Sequence, residues 1–180
     1  MASAPSFTTD RIRNVCVVGH GGSGKTTLVD ACCFTSGSSR RQGSVDDGTA
    51  LTMFTPEETS HGISMNVSVA HAAWMDSKIN FIDTPGYLDF LGETKAGIRV
   101  ADGALVCVSA PAGVEVGTDR VWELVQERHL PAVFFVTSRA GGRSAAGACS
   151  AGFGVPAAGG GVGIGACATW EAPGVPASVT

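Results

Sequence analysis

The sequence has no C-x-x-C pair among its six cysteines, which argues against a zinc knuckle or ribbon. No apolar stretch approaches the roughly 18 residues that cross a bilayer, so no membrane span is expected. The N-terminal stretch MASAPSFTTDRIRNV carries no apolar core of a secretory signal, and a reduced, cytoplasmic setting fits the cysteine usage. Charge is sparse, at 16% of residues, and the net charge of −4 leaves no basic footprint for DNA. Aromatic residues are few as well, with a single tyrosine, Tyr87. What remains is a chain of 180 residues, 44% hydrophobic, long enough for one domain with a core.

The most informative stretch is GHGGSGKT at 19–26. It fits G-x-x-x-x-G-K-[ST] through Gly19, Gly24, Lys25 and Thr26. Glycines let successive N–H groups curl around an oxyanion, and the helix that follows adds its unpaired N–H groups and positive dipole end. Lys25 is placed to reach β and γ phosphates, and the Thr26 hydroxyl to ligate Mg²⁺. The apolar run Val15 to Val18 before the loop suits a buried parallel strand, and Leu28, Ala31, Cys32 and Phe34 after it outline a helical face. The candidate phosphate-binding residues are Gly19, His20, Gly21, Gly22, Ser23, Gly24, Lys25, Thr26 and Thr27.

From Thr35 to Ile63 the text is polar and Gly-rich, and reads as a long loop with a short helix at Pro56 to Thr59. Met65 to Trp74 and Lys78 to Ile82 are candidate strands joined by a turn at Asp76-Ser77. A helix follows through Val100, then an apolar run at Ala104 to Val108, an amphipathic helix at Thr118 to Arg128 and a last run at Val133 to Val136. Strands alternating with helices predict an α/β protein: a P-loop three-layer fold with a mostly parallel sheet. Residues 1–13 read as an N-terminal arm and 14–137 as the nucleotide-binding portion. Residues 138–180 contain no Lys and no Asp and are about half Gly and Ala. That composition buries too little apolar surface to offset ordering, so this tail is expected to be disordered. It also resembles what a shifted reading frame of a G+C-rich gene encodes. The sheet is then incomplete on its C-terminal side, with an open edge beside Val133 to Val136.

A second phosphate motif, Asp83-Thr84-Pro85-Gly86, ends the run INFID. A carboxylate there can act on Mg²⁺ through water, and Gly86 can offer its N–H to a γ-phosphate. Segments of this kind order and disorder with the γ-phosphate in GTPase switches.

Taken in order, NVCVVGHGGSGKTTL, HGIS, INFIDTPGYLDF, ADGALVCVSAPAGVEVGTDRVWE and LPAVFFV resemble the start of the GTP-binding domain of translation elongation factor G. A P-loop ATPase or kinase shares the loop but not HGIS, DTPGY or VSAPAGVE. The resemblance covers about residues 14 to 136 and only the first part of a multidomain factor. It implies GTP and GDP with Mg²⁺ as ligands, a ribosome as the partner of the full-length relative, and Ser64 of HGIS as a further Mg²⁺ hydroxyl.

The departures matter equally. The family has His after DTPG, positioning the attacking water; here that catalytic position holds Tyr87, and a phenol does not exchange protons near neutral pH as an imidazole does. This residue and the loop together look like the divergent elongation factor G-like branch. After the last apolar run the family has N-K-x-D or T-K-x-D, whose Asp reads guanine. Here Thr137-Ser138-Arg139-Ala140 keeps only the first position. Two hydrogen bonds to a charged group, at about 1.5–3 kcal/mol each, correspond to a loss of about a hundredfold or more in affinity. A non-catalytic chain that binds nucleotide phosphates with little choice of base is therefore the alternative.

Overall fold

The computed structural model describes residues 6–137 and 165–167. The chain forms β1 (Ile12–Gly19), α1 (Lys25–Thr35), α2 (Pro56–His61), β2 (Ser68–Trp74), β3 (Ser77–Asp83), α3 (Leu91–Val100), β4 (Gly103–Ser109), α4 (Val116–Glu127), β5 (Ala132–Thr137) and β6 (Gly165–Cys167). The sheet order is β2-β3-β1-β4-β5-β6. β1 lies centrally, parallel to β3 and β4, and β4 runs parallel to β5. Among the described strands, only β2 and β6 are antiparallel to their neighbours. The expected α/β fold with a mostly parallel sheet is the one observed.

The central strand explains its own sequence. Val15 and Val17 point to the layer holding Leu28, Val29 and Cys33 of α1, while Cys16 and Val18 point to the layer holding Ile98 of α3 and Val121 and Val125 of α4. Both faces are covered, so an unbroken apolar run replaces the alternation of a half-exposed strand. Trp122 packs its ring against Phe134, centroids 5.1 Å apart, on the α4 side, whereas Trp74 at the end of β2 stays half exposed. Among the described residues no helix is long and apolar enough to cross a membrane.

Three readings change. The hairpin turn is Met75-Asp76, both at positive φ, because Trp74 pairs with Ser77. The one-residue shift places a methionine where a turn-forming residue was expected. The edge read as open is paired: Phe134, Phe135 and Val136 face Cys167, Ala166 and Gly165. Unpaired N–H and C=O groups on a strand edge are a template for such pairing. Those three tail residues are therefore in the sheet rather than disordered, and the rest of the stretch read as disordered lies outside the described residues. Finally, β1 starts at Ile12, inside the stretch read as an arm.

Candidate functional site

The site forms where β1 and β3 end and α1 begins. Gly24, at φ +83°, is the N-cap of α1 and adopts a left-handed conformation that a side chain would strain. The loop folds over Lys25, whose Nζ donates to the carbonyls of Gly19 at 3.1 Å and His20 at 2.8 Å. Lys25 is only 5% exposed. Burial pushes its ammonium below the usual lysine value, opposed by the charge of Asp83.

At the end of β3, Thr84 extends the ladder to β1 by donating from Oγ1 to the Val17 carbonyl at 2.7 Å. This sets the DTPG turn beside the loop. Gly86 comes so close that a Cβ there would meet Lys25 Nζ and stand 2.6 Å from the Gly21 nitrogen, so only glycine fits. Asp83 is almost wholly buried. Its Oδ2 accepts from Thr26 Oγ1 at 2.8 Å and from Thr52 Oγ1 at 2.7 Å, and Thr26 Oγ1 also lies 3.1 Å from Ser64 Oγ. Burial pushes the Asp83 carboxylate above its ordinary range, against the hydrogen bonds of Thr52 and Thr26 and the charge of Lys25. Asp83 Oδ1 is buried with no hydrogen-bond partner among the described residues.

A cavity of about 600 Å³ opens over these groups. Gly21, Gly22, Gly24, Lys25, Thr26, Thr27, Ser64, Gly86 and Tyr87 line it, so most residues singled out in the sequence meet at one place. Asp83 sits behind Thr26. The His20 side chain takes another direction: Nε2 lies 3.5 Å from Glu115 Oε1, and Nδ1 abuts Gly117 at the start of α4. Only the His20 backbone faces the lysine. The Ser23 hydroxyl is likewise buried without a partner among the described residues.

Three further residues, Asp30, Glu58 and Thr52, were not singled out in the sequence, and Thr137 was read only as the first position of the base-reading motif. Thr137 Oγ1 donates to the Ser23 carbonyl at 2.7 Å, tying β5 to the loop. Asp30, buried in α1, accepts from the backbone N–H groups of Gly43 and Leu51 and so holds the long polar loop to the helix. Glu58, fully buried, forms a capping box with Thr55 and accepts from the N–H groups of Met65 at 2.9 Å and Asn66 at 3.0 Å. Its signal was present as T-x-x-E at Thr55 to Glu58. Thr52 had no signal at all.

A parallel sheet whose first strand runs through a Gly-rich loop into a helix, with a second strand ending in a buried Asp beside it, defines a P-loop nucleotide-binding fold. The chain belongs to the family described as the elongation factor Tu GTP binding domain, whose model matches residues 10–138. It is 38% identical over 131 residues to the mitochondrial ribosome-releasing factor 2 of Debaryomyces hansenii, covering 73% of this chain and 15% of that one. It is 37% identical over 125 residues to elongation factor G 2 of Streptomyces coelicolor, covering 69% and 18%. A crystal structure from Thermus thermophilus superposes with a TM-score of 0.68 at 43% identity, over 70% of this chain and 19% of that one. The bacterial selenocysteine-specific elongation factor EF-Sec shares the fold at a TM-score of 0.56 and 22% identity. The chain thus carries part of an elongation factor G-like G domain and spans less than a fifth of the length of these relatives.

Proposed function

We propose that this chain binds GTP and GDP with Mg²⁺ and serves as the nucleotide-binding part of a cytoplasmic, elongation factor G-like GTPase that works on the ribosome. The observation that carries the reading is the convergence of Lys25, Thr26, Ser64 and Gly86 on one cavity with Asp83 directly behind it. Lys25 and the backbone N–H groups of the loop would hold the phosphates, and the Gly86 N–H would meet the γ-phosphate. Thr26 and Ser64 would offer hydroxyls to Mg²⁺, and Asp83 would act through water. The buried Oδ1 of Asp83, without a hydrogen-bond partner among the described residues, fits that role. When bound, Mg²⁺ supplies neutralisation of phosphate charge.

The chain's own contribution to hydrolysis would be to place a water in line and exclude others. Tyr87 occupies the position of the family's His and cannot supply an imidazole, so hydrolysis by this chain should be slow. A second reading rests on Ser138-Arg139-Ala140, which lacks the family's Lys and Asp: phosphates are held while the base is read weakly.

Calorimetry of GDP with Mg²⁺ on the full chain tests the reading. Lys25→Met should lose about a hundredfold or more in affinity, as removal of hydrogen bonds between charged groups implies. Melting curves taken alongside keep a folding defect apart from lost binding, because the substitution also strips the Gly19 and His20 carbonyls of their donor and the buried Asp83 carboxylate of its neighbouring cation. Equal GDP binding by the wild type and Lys25→Met would reject the site.

A further inference from the structure

Thr52 belongs to none of the motifs, yet it reaches the centre of the site. It is 4% exposed and lies in the polar loop before α2. Its Oγ1 donates to Asp83 Oδ2, the same oxygen that accepts from Thr26. Two donors on one oxygen fix the rotation of the carboxylate and leave Oδ1 buried and free of partners among the described residues. Two hydroxyls converging on one buried oxygen hold this orientation by geometry.

Thr52 is itself anchored. Ser68 Oγ, at the start of β2, donates to the Thr52 carbonyl at 2.9 Å. On the other side, the Leu51 N–H donates to Asp30 Oδ1 at 2.8 Å. The backbone that carries the hydroxyl is thus braced against both α1 and the sheet.

We propose that Thr52 is a positioning residue of the Mg²⁺ site, holding the Asp83 carboxylate so that Oδ1 is offered to the hydrated ion. This rests on the nucleotide-binding reading above. It assigns to the long polar loop a part in metal binding separate from that of Ser64, which lies beyond α2.

The test uses the full chain with GDP and titrates Mn²⁺ as the probe, reading free Mn²⁺ by electron paramagnetic resonance. Thr52→Val keeps the shape and removes the donor; Thr52→Ser keeps the donor. On the scale of outer-shell partners of metal sites, Thr52→Val should raise the Mn²⁺ Kd by about tenfold and Thr52→Ser by no more than about twofold. Melting curves without metal, taken in parallel, report what Thr52→Val loses in stability through the hydrogen bond itself, and Mn²⁺ is titrated below the onset of melting so that the Kd is read on folded protein. An unchanged Kd in Thr52→Val, or an equal loss in both variants, overturns the role of the hydroxyl. Failure of the wild type to take up Mn²⁺ with GDP overturns the nucleotide reading and this inference together. Uptake by the wild type with an indifferent Thr52→Val overturns only the inference.

Discussion

The ring of Tyr87 lies on the backbone of Gly21: a Cβ at Gly21 would stand 2.9 Å from Cζ and 3.0 Å from Cε2. Gly21 is therefore required for space rather than for an unusual φ, and Tyr87 forms part of the wall over the phosphate loop. Its side chain is 42% exposed, so the ring has room to swing outward.

Gly21→Ala should destabilise the chain by about 1 kcal/mol, the low end of overpacking costs, because the group met is the outer end of a partly exposed side chain rather than backbone. In a Tyr87→Ala background the same substitution should cost measurably less, since contacting residues do not add. Urea denaturation of the four proteins gives the coupling. Strict additivity would mean that the ring does not rest on the loop.

Glu58→Ala should destabilise by about 3 kcal/mol, because it strands backbone donors inside the protein. Amide exchange at Met65 and Asn66 should speed up selectively. Burial alone would raise the Glu58 carboxyl, but hydrogen bonds from Asn66, Met65 and Thr55 outweigh it and hold the group below its ordinary value. Its contribution is then full above the unfolded carboxylate value and is lost as pH falls through the folded one. Glu58→Gln should flatten the pH dependence of stability in that acid window; an unchanged profile would contradict the assignment.

At the other end of the pH scale, Cys16 and Cys107 are wholly buried and burial pushes both thiols up from 9.0 to about 12. The unfolded chain then releases protons that the folded chain keeps. Stability should fall as pH rises from about 9 toward 12, by up to about 1.4 kcal/mol per pH unit for each thiol. Urea midpoints at pH 8 and pH 10 measure this, and Cys16→Ala with Cys107→Ala should reduce the slope. A slope unaffected by the two substitutions would assign it elsewhere.

Thr137→Val removes the donor to the Ser23 carbonyl while keeping the methyl group that faces Gly24. A loss of about 1 kcal/mol is expected for one hydrogen bond, with weaker GDP binding as the loop loosens. Calorimetry and thermal melting of the same sample separate the two effects. Retention of both affinity and stability would show that β5 does not brace the loop.

How far these features were legible follows from how local their causes are. The run at Val15 to Val18, the glycines after it and the DTPG turn carry their geometry in consecutive residues, so β1, the loop and the Asp83 turn could be read directly. The polar stretch from Thr35 to Ile63 could not. Its order comes from carboxylates and hydroxyls meeting groups far away in the chain: Asp30 on Gly43 and Leu51, Ser68 on Thr52, and Thr52 on Asp83. No periodicity announces such contacts. His20 is a different case, since its backbone belongs to the loop and its ring does not. Its place in the motif suggested a ligand, while its ring turns to Glu115 and α4. The pairing of β6 with β5 was also out of reach, since a Gly/Ala-rich segment has no strand pattern to detect.

The most direct test is to load the full chain with fluorescent GDP in Mg²⁺ and displace it with GTP or with ATP. Displacement by GTP at clearly lower concentration than ATP is the expected result for a member of this G-domain family. Displacement by both at the same concentration would contradict guanine nucleotide binding as its function and leave a phosphate loop that does not read the base.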